Sequence, residues 1–135
     1  MKLVTFNIRG DFGIDGENNF DCRKPLILQR IQAQQPDVIG FQEVMPHVQR
    51  WLRQNLPGYT VVGCGRKADY SDEAMTLAIR NETAELLGFE VLWLSPTPDQ
   101  PGSRYVHQSE CPRTCAAAIV NVQGMGGPIR IYNTH

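Results

Sequence analysis

Ile131-Tyr132-Asn133-Thr134-His135 reads as a buried strand that carries polar, ligand-capable side chains to its end. Two earlier stretches share that character. Thr5-Phe6-Asn7-Ile8-Arg9 continues an apolar strand begun at Leu3, and Phe41-Gln42-Glu43-Val44 completes the apolar run Val38-Ile39-Gly40. An open sheet brings the C-terminal ends of its strands together even when they are distant in sequence. Asn7, Glu43, Asn133 and His135 all lie at or just after such ends, so one site collects them.

Outward from these strands the chain first alternates strand and helix. Leu3 to Ile8 sets Val4, Phe6 and Ile8 against Leu3, Thr5 and Asn7, with apolar character on both faces, which predicts a central strand. Asp11 to Phe20 is rich in Gly, Asp and Asn and reads as a loop. Asp21 then caps a helix whose Leu26, Ile27, Arg30 and Ile31 follow helical spacing, and Pro36 ends it. After the Val38–Phe41 strand, Pro46 occupies a first-turn position for a helix with Val48, Trp51, Leu52 and Leu56 on one face, closed by Pro57-Gly58.

Beyond Gly58 the pattern changes to successive strands: Tyr59 to Cys64, Ala74 to Arg80, Ala84 to Leu94, Thr114 to Val122 and Ile129 to Thr134. Asn81-Glu82 predicts a tight hairpin turn, and Gln123 to Pro128 a longer Gly-rich one. Ser95 to Pro112, with four prolines and a glycine, is too broken for a regular element. No repeat, low-complexity tract or linker divides the chain, which reads as one domain portion over residues 1–135.

Composition narrows the setting. At 135 residues and 41% hydrophobic content the chain is long enough to bury one core. Lys and Arg total 13 against 14 Asp and Glu, a formal charge of -1, so no overall basic field points to nucleic acid, although a local patch is compatible with it. A strand starts almost at Met1, with no basic leader and no apolar run of about 18 residues, which predicts an intracellular, cytoplasmic protein without a membrane span. Without a secretory signal, Cys22, Cys64, Cys111 and Cys115 are expected as reduced thiols, and the Cys111/Cys115 spacing matches no common zinc pattern.

Glu43 delivers a carboxylate at the edge of an apolar core, where ionisation is costly unless a cation or donors accompany it. Taken alone it fits a magnesium ligand or an exposed acid at a strand-to-helix turn. Arg9 and Arg113 each fit a phosphate-binding fork or a surface arginine paired with a carboxylate. Glu73, following Asp72, fits a cleft-lining residue or a solvated acidic turn. His47 and His107 are assigned no role, and Trp93 reads as core.

The Phe6-Asn7-Ile8-Arg9-Gly10, Phe41-Gln42-Glu43-Val44 and Asn133-Thr134-His135 motifs together resemble the endonuclease/exonuclease/phosphatase family of metal-dependent phosphoesterases, over nearly the whole chain but only the first half of such a domain. The family's later Asp-x-Asn and Ser-Asp-His motifs have no counterpart. The resemblance implies that Glu43 and Asn7 hold a divalent ion, Mg2+ or Mn2+, and that His135, with Asn133 and Asn7, acts on the phosphate. Arg9 and Arg113 are expected to contact substrate phosphate through their planar forks, and Glu73, where the resembling branch often has a Gly-Glu pair, to line the cleft. The stretch from Trp93 to Ser103 and Cys111-Pro112-Arg113 look like a bacterial branch of family hydrolases. Abasic-site nucleases usually carry Asp where Arg9 stands, so their DNA substrate does not carry over directly.

The implied fold is α+β, half of a four-layer α/β/β/α sandwich with helices outside two mixed sheets. The chain is expected to form about one sheet with its helices and to leave the inner sheet face open. That face would be covered by a C-terminal half, a cleaved fragment or a second copy. The expected activity is hydrolysis of phosphate esters by the complete domain, by a phosphodiesterase, nuclease or phosphatase, with this portion inactive alone. The alternative is a non-catalytic half-domain that binds a protein partner through its open sheet.

Overall fold

The computed structural model describes residues 1–135. The chain runs β1 (Leu3–Asn7), α1 (Phe20–Gln34), β2 (Val38–Val44), α2 (Pro46–Asn55), β3 (Tyr59–Val62), β4 (Ala74–Arg80), β5 (Ala84–Trp93), β6 (Thr114–Val122) and β7 (Ile129–Thr134). The first four strands form one sheet in the order β1-β2-β4-β3, and the last three form a second in the order β5-β6-β7. β1 and β2 are parallel and the other pairs antiparallel. A parallel pair needs a crossover, which α1 supplies.

Local chemistry sets the helix limits. The Asn19 side chain accepts the Cys22 amide at 3.0 Å, so Asn19 caps α1. The expected cap, Asp21, instead lies inside the first turn, where it favours the helix dipole and pairs with Lys24. Gln35 ends the helix in the left-handed region (φ 46°), with its amide on the Ile31 carbonyl, and Pro36 prevents continuation. α2 begins with Pro46 at its first turn, where a missing N–H costs nothing.

Both helices cover one face of the first sheet. Phe20, Ile27 and Ile31 of α1 and Val48 and Leu52 of α2 bury against Ile39, Phe41, Val61 and Ala78. The opposite face of that sheet packs on the second sheet through Val38, Leu77 and Ile79 against Ala116, Ala118, Val120 and Ile131. Small alanines on β6 leave room for the large aliphatic side chains opposite.

The half-sandwich is therefore present, but as three layers (helices, sheet, sheet) rather than the single sheet expected. The two inner faces already cover each other. The face without a layer over it is the outer side of the three-stranded sheet, where Ile119 and Tyr132 are exposed in line with Glu90 and Arg130. A second difference has the same origin. Asn81-Glu82 does not close a hairpin, because β4 and β5 belong to different sheets. Asn81 N–H bonds Gly58 O, and the Thr83 hydroxyl reaches Asp37 at 2.5 Å, so the turn anchors to the first sheet while the chain crosses to the second. The Gln123 to Pro128 hairpin forms as expected between β6 and β7. β1 lies at the sheet edge rather than the centre, with Leu3, Thr5 and Asn7 exposed on one side. No helix is long and apolar enough to cross a membrane.

Candidate active site

The C-terminal ends of β1, β2 and β7 meet at one edge of the two-sheet stack. Asn7 sits opposite Gln42 in the parallel ladder, one residue before Glu43. The β2–β4 register then slips between Phe41 and Val44, so that β2 takes one more residue than β4 over this stretch. Glu43 itself adopts φ 60°. A bulge of this kind turns a side chain out of the regular pleat, and a non-glycine residue held in the left-handed region costs about 1 kcal/mol or more. The strain sits where the polar residues converge.

Glu43 is held by two neutral donors. Its Oε1 accepts from Asn7 Nδ2 at 2.7 Å and its Oε2 from the Gly10 amide at 2.7 Å. The Asn7 bond, then the Gly10 bond, hold its carboxyl below the ordinary glutamate range against the opposing effect of burial. His135 brings Nε2 to 3.8 Å from Glu43 Oε1. Asn7, Glu43 and His135 are thus brought together. Asn7 Oδ1 accepts the Arg9 amide at 2.9 Å, which fixes which way the carboxamide faces Glu43.

Arg9 also has a left-handed backbone, φ 63°. Its guanidinium forks onto Asp15, Nε to Oδ2 at 2.9 Å and Nη2 to Oδ1 at 2.6 Å, while Nη1 has no partner in the chain. Arg23 lies 3.9 Å from the same Asp15 and donates to the carbonyls of Ile8, Arg9 and Asn18, tying the loop after β1 to α1. Arg113 stands at the same end of the second sheet, immediately before Thr114, whose carbonyl accepts the Thr134 hydroxyl at 3.0 Å. The residue is half-buried, and its guanidinium makes no hydrogen bond or ion pair within the chain.

Two expected site residues have other occupations. Glu73 is buried and accepts from Arg66 Nη1 at 2.7 Å, with Asp72 on the same guanidinium at 3.2 Å. Its charge is balanced inside the protein rather than offered to a cleft. Asn133 is 6% exposed and lies between the sheets. Its Nδ2 donates to Phe41 O at 2.8 Å and Thr76 O at 3.1 Å, and its Oδ1 accepts from Gln42 Nε2 at 2.7 Å. With its amide committed on both sides, it bridges the sheets; a strand residue pointing inward cannot also present donors at the strand end.

Several contributors escaped the sequence reading. Gly10 acts through a backbone amide, which no side-chain motif reveals. Asp15 is a loop acid without periodicity, and the only hint was two arginines, Arg9 and Arg23, in need of a partner. Arg66 gave a comparable hint in the acidic pair that follows it. His47, given no role, pairs with Asp11 at 2.8 Å beside the start of α2. Trp93 is core, as expected, with its indole N–H on Arg66 O at 2.6 Å.

Solved structures share this fold. An endonuclease/exonuclease/phosphatase from Bacteroides vulgatus superposes with a TM-score of 0.90 at 32% identity, over 97% of this chain and 50% of that one. A conserved protein of unknown function from Enterococcus faecalis gives 0.91 at 26% identity, over 100% of this chain and 52% of that one. A mannosyl-6-phosphatase from Bacteroides thetaiotaomicron gives 0.89 at 26% identity, over 100% and 51%. The chain spans about half the length of these structures. No curated protein sequence matches it. The model of the Endonuclease/Exonuclease/phosphatase family matches residues 4–124, which include Asn7, Glu43 and most of the strand framework described above. The chain belongs to the endonuclease/exonuclease/phosphatase family.

Proposed function

We propose that this chain contributes the first half of a divalent-metal-dependent phosphoesterase site, completed by the remaining length that its relatives possess. The family and its characterised members are phosphoesterase hydrolases. The observation that carries the proposal is Glu43: a carboxylate at a strand end, about a quarter exposed, held ionised by neutral donors, with no Lys or Arg paired to it and the His135 ring 3.8 Å away.

The donor set suits a hard cation. Glu43 supplies carboxylate oxygens and Asn7 a carboxamide oxygen that here accepts the Arg9 amide, and no cluster of three His, Cys, Asp or Glu side chains competes for a softer metal. Mg2+ typically takes one or two carboxylates and keeps waters and substrate phosphate in its other positions, a demand that one carboxylate begins to meet; Mn2+ shares the preference for oxygen. Glu43, assisted by Asn7, would hold the ion, which when bound neutralises phosphoryl oxygens and activates water. Asn7 orients the Glu43 carboxylate. His135 donates to a phosphate oxygen as charge develops there. Arg9 through Nη1, and Arg113 through its unpartnered fork, bind the phosphate. Neither Glu73 nor Asn133 is given a contact with substrate.

Phosphorylated sugars come first among substrates, since the chain's balanced charge offers no field for nucleic acid and a similar structure is a mannosyl-6-phosphatase. The layer over the outer face of the three-stranded sheet would come from further chain of the same domain or from a second copy. Full-length protein assayed on sugar phosphates, inositol phosphates, phospholipids and oligonucleotides, with Mg2+, Mn2+ or EDTA, is the test. The expected result is hydrolysis of at least one ester that EDTA and Glu43→Gln both abolish. Hydrolysis unaffected by either would remove the metal centre from the account.

A further inference from the structure

The Arg9–Asp15 pair poses a question that substrate binding alone does not answer. Arg9 is 64% exposed at its side chain, yet its fork is engaged by an aspartate that is only 9% exposed. The guanidinium lies within electrostatic reach of Glu43, each charge acting on the other. The backbones are closer still. The Arg9 amide bonds Asn7 and the next amide, Gly10, bonds Glu43 itself. A long, flexible arginine rooted one residue from a donor to Glu43 has an obvious competing partner in that carboxylate, and a bidentate Arg–Glu pair would occupy both oxygens. The partner it has instead is Asp15. It takes the Nε/Nη2 edge of Arg9 and is itself steadied by Arg23, which is clamped to three backbone carbonyls.

We propose that Asp15 is a positioning residue that diverts the Arg9 guanidinium from Glu43, leaving the carboxylate open to a divalent cation and the Nη1 edge of Arg9 open to a phosphate oxygen. The inference rests on the metal-binding reading of Glu43. It also explains how one site can hold a cation ligand and a phosphate-binding cation side by side without the two neutralising each other.

Removing Asp15 while leaving its shape should release Arg9 onto Glu43. Removing Arg9 as well should undo the damage, whereas a loop that had merely lost its structure would not recover. Mn2+ affinity measured by titration calorimetry on full-length protein is the readout. Asp15→Asn should weaken Mn2+ binding at least about tenfold, and Asp15→Asn with Arg9→Ala should return it to within about threefold of wild type. Arg9→Ala alone should leave Mn2+ affinity close to wild type, because Asp15 already holds the arginine away. This single variant removes an exposed side chain and can overturn the proposal even if Asp15→Asn folds poorly. A tenfold gain in affinity in Arg9→Ala would show that Arg9 competes for Glu43 in the intact protein and would overturn the proposal. So would unchanged binding in Asp15→Asn, or a double variant as weak as the single. Absence of Mn2+ binding in the wild type would be a different failure, that of the metal reading itself, and would take this inference with it.

Discussion

Replacing Asn133 by alanine separates an inter-sheet bridge from a catalytic donor. The side chain makes three hydrogen bonds: to the carbonyls of Phe41 and Thr76, and from the Gln42 carboxamide. Gln42 retains Gly40 O at 3.0 Å and the Thr5 hydroxyl at 3.1 Å as alternative acceptors, so its loss is small. The two carbonyls are the larger concern, since each buried group left without a partner costs roughly 1–3 kcal/mol. Asn133→Ala should therefore destabilise the fold by about 2–4 kcal/mol. In urea, with a slope of about 1–3 kcal/mol per molar, the unfolding midpoint should fall by at least about 0.7 M. Gly40 provides a cross-check, because a Cβ there would stand 2.9 Å from Asn133 Oδ1. Gly40→Ala should be destabilising in the wild type and markedly less so once Asn133 is alanine. A stability loss below about 0.5 kcal/mol, with reduced phosphoesterase turnover in the full-length protein, would refute the bridging role and restore Asn133 to the catalytic set.

His135→Ala should lower turnover of the full-length enzyme by the equivalent of about 2–4 kcal/mol while changing KM little, as steady-state kinetics would report; wild-type turnover would remove His135 from the site. Arg66→Met should cost about 3 kcal/mol, because it strands the buried Glu73, whereas Asp72 keeps Lys67 at 3.7 Å; chemical unfolding within 1 kcal/mol of wild type would show Glu73 to be well solvated. Acid should weaken the fold. The Thr83 hydroxyl and the Lys2 amide hold Asp37 below the usual aspartate range against the effect of burial, and Asn7 and Gly10 do the same for Glu43. A depressed folded pKa contributes stability above the unfolded value, and that stability disappears as pH falls through the folded value. The melting temperature should thus decline below about pH 4, and a rise on acidification would contradict both assignments.

The amount legible from sequence differed by kind of feature. Strand and helix limits followed from apolar spacing and from Pro36, Pro46 and Pro57, whose effects are local. The strand ends that carry Asn7, Glu43 and His135 were likewise visible, because sheet topology sends such ends to a common edge. Sheet membership was not. Asn81-Glu82 has the chemistry of a hairpin turn, and only the bond from Thr83 to Asp37, far away in sequence, reveals that the chain changes sheets there. Inward or outward pointing at a strand end also lay beyond the motif: Asn133 and His135 are two residues apart, yet one is buried between sheets and the other is exposed beside Glu43. The bulge that re-aims Glu43 depends on β4 pairing, a long-range property. Asp15 and Arg66 are partners rather than motifs, found once the charges they satisfy have positions.

The central claim is that Glu43 holds a divalent cation. Crystals of the full-length protein grown with Mn2+, measured at the manganese absorption edge, test it most directly. An anomalous peak at coordination distance from a Glu43 carboxylate oxygen, lost in Glu43→Gln crystals grown identically, is the expected result. A manganese peak elsewhere with Glu43 still bonded only to Asn7 and Gly10, or a peak that persists in Glu43→Gln, would contradict it.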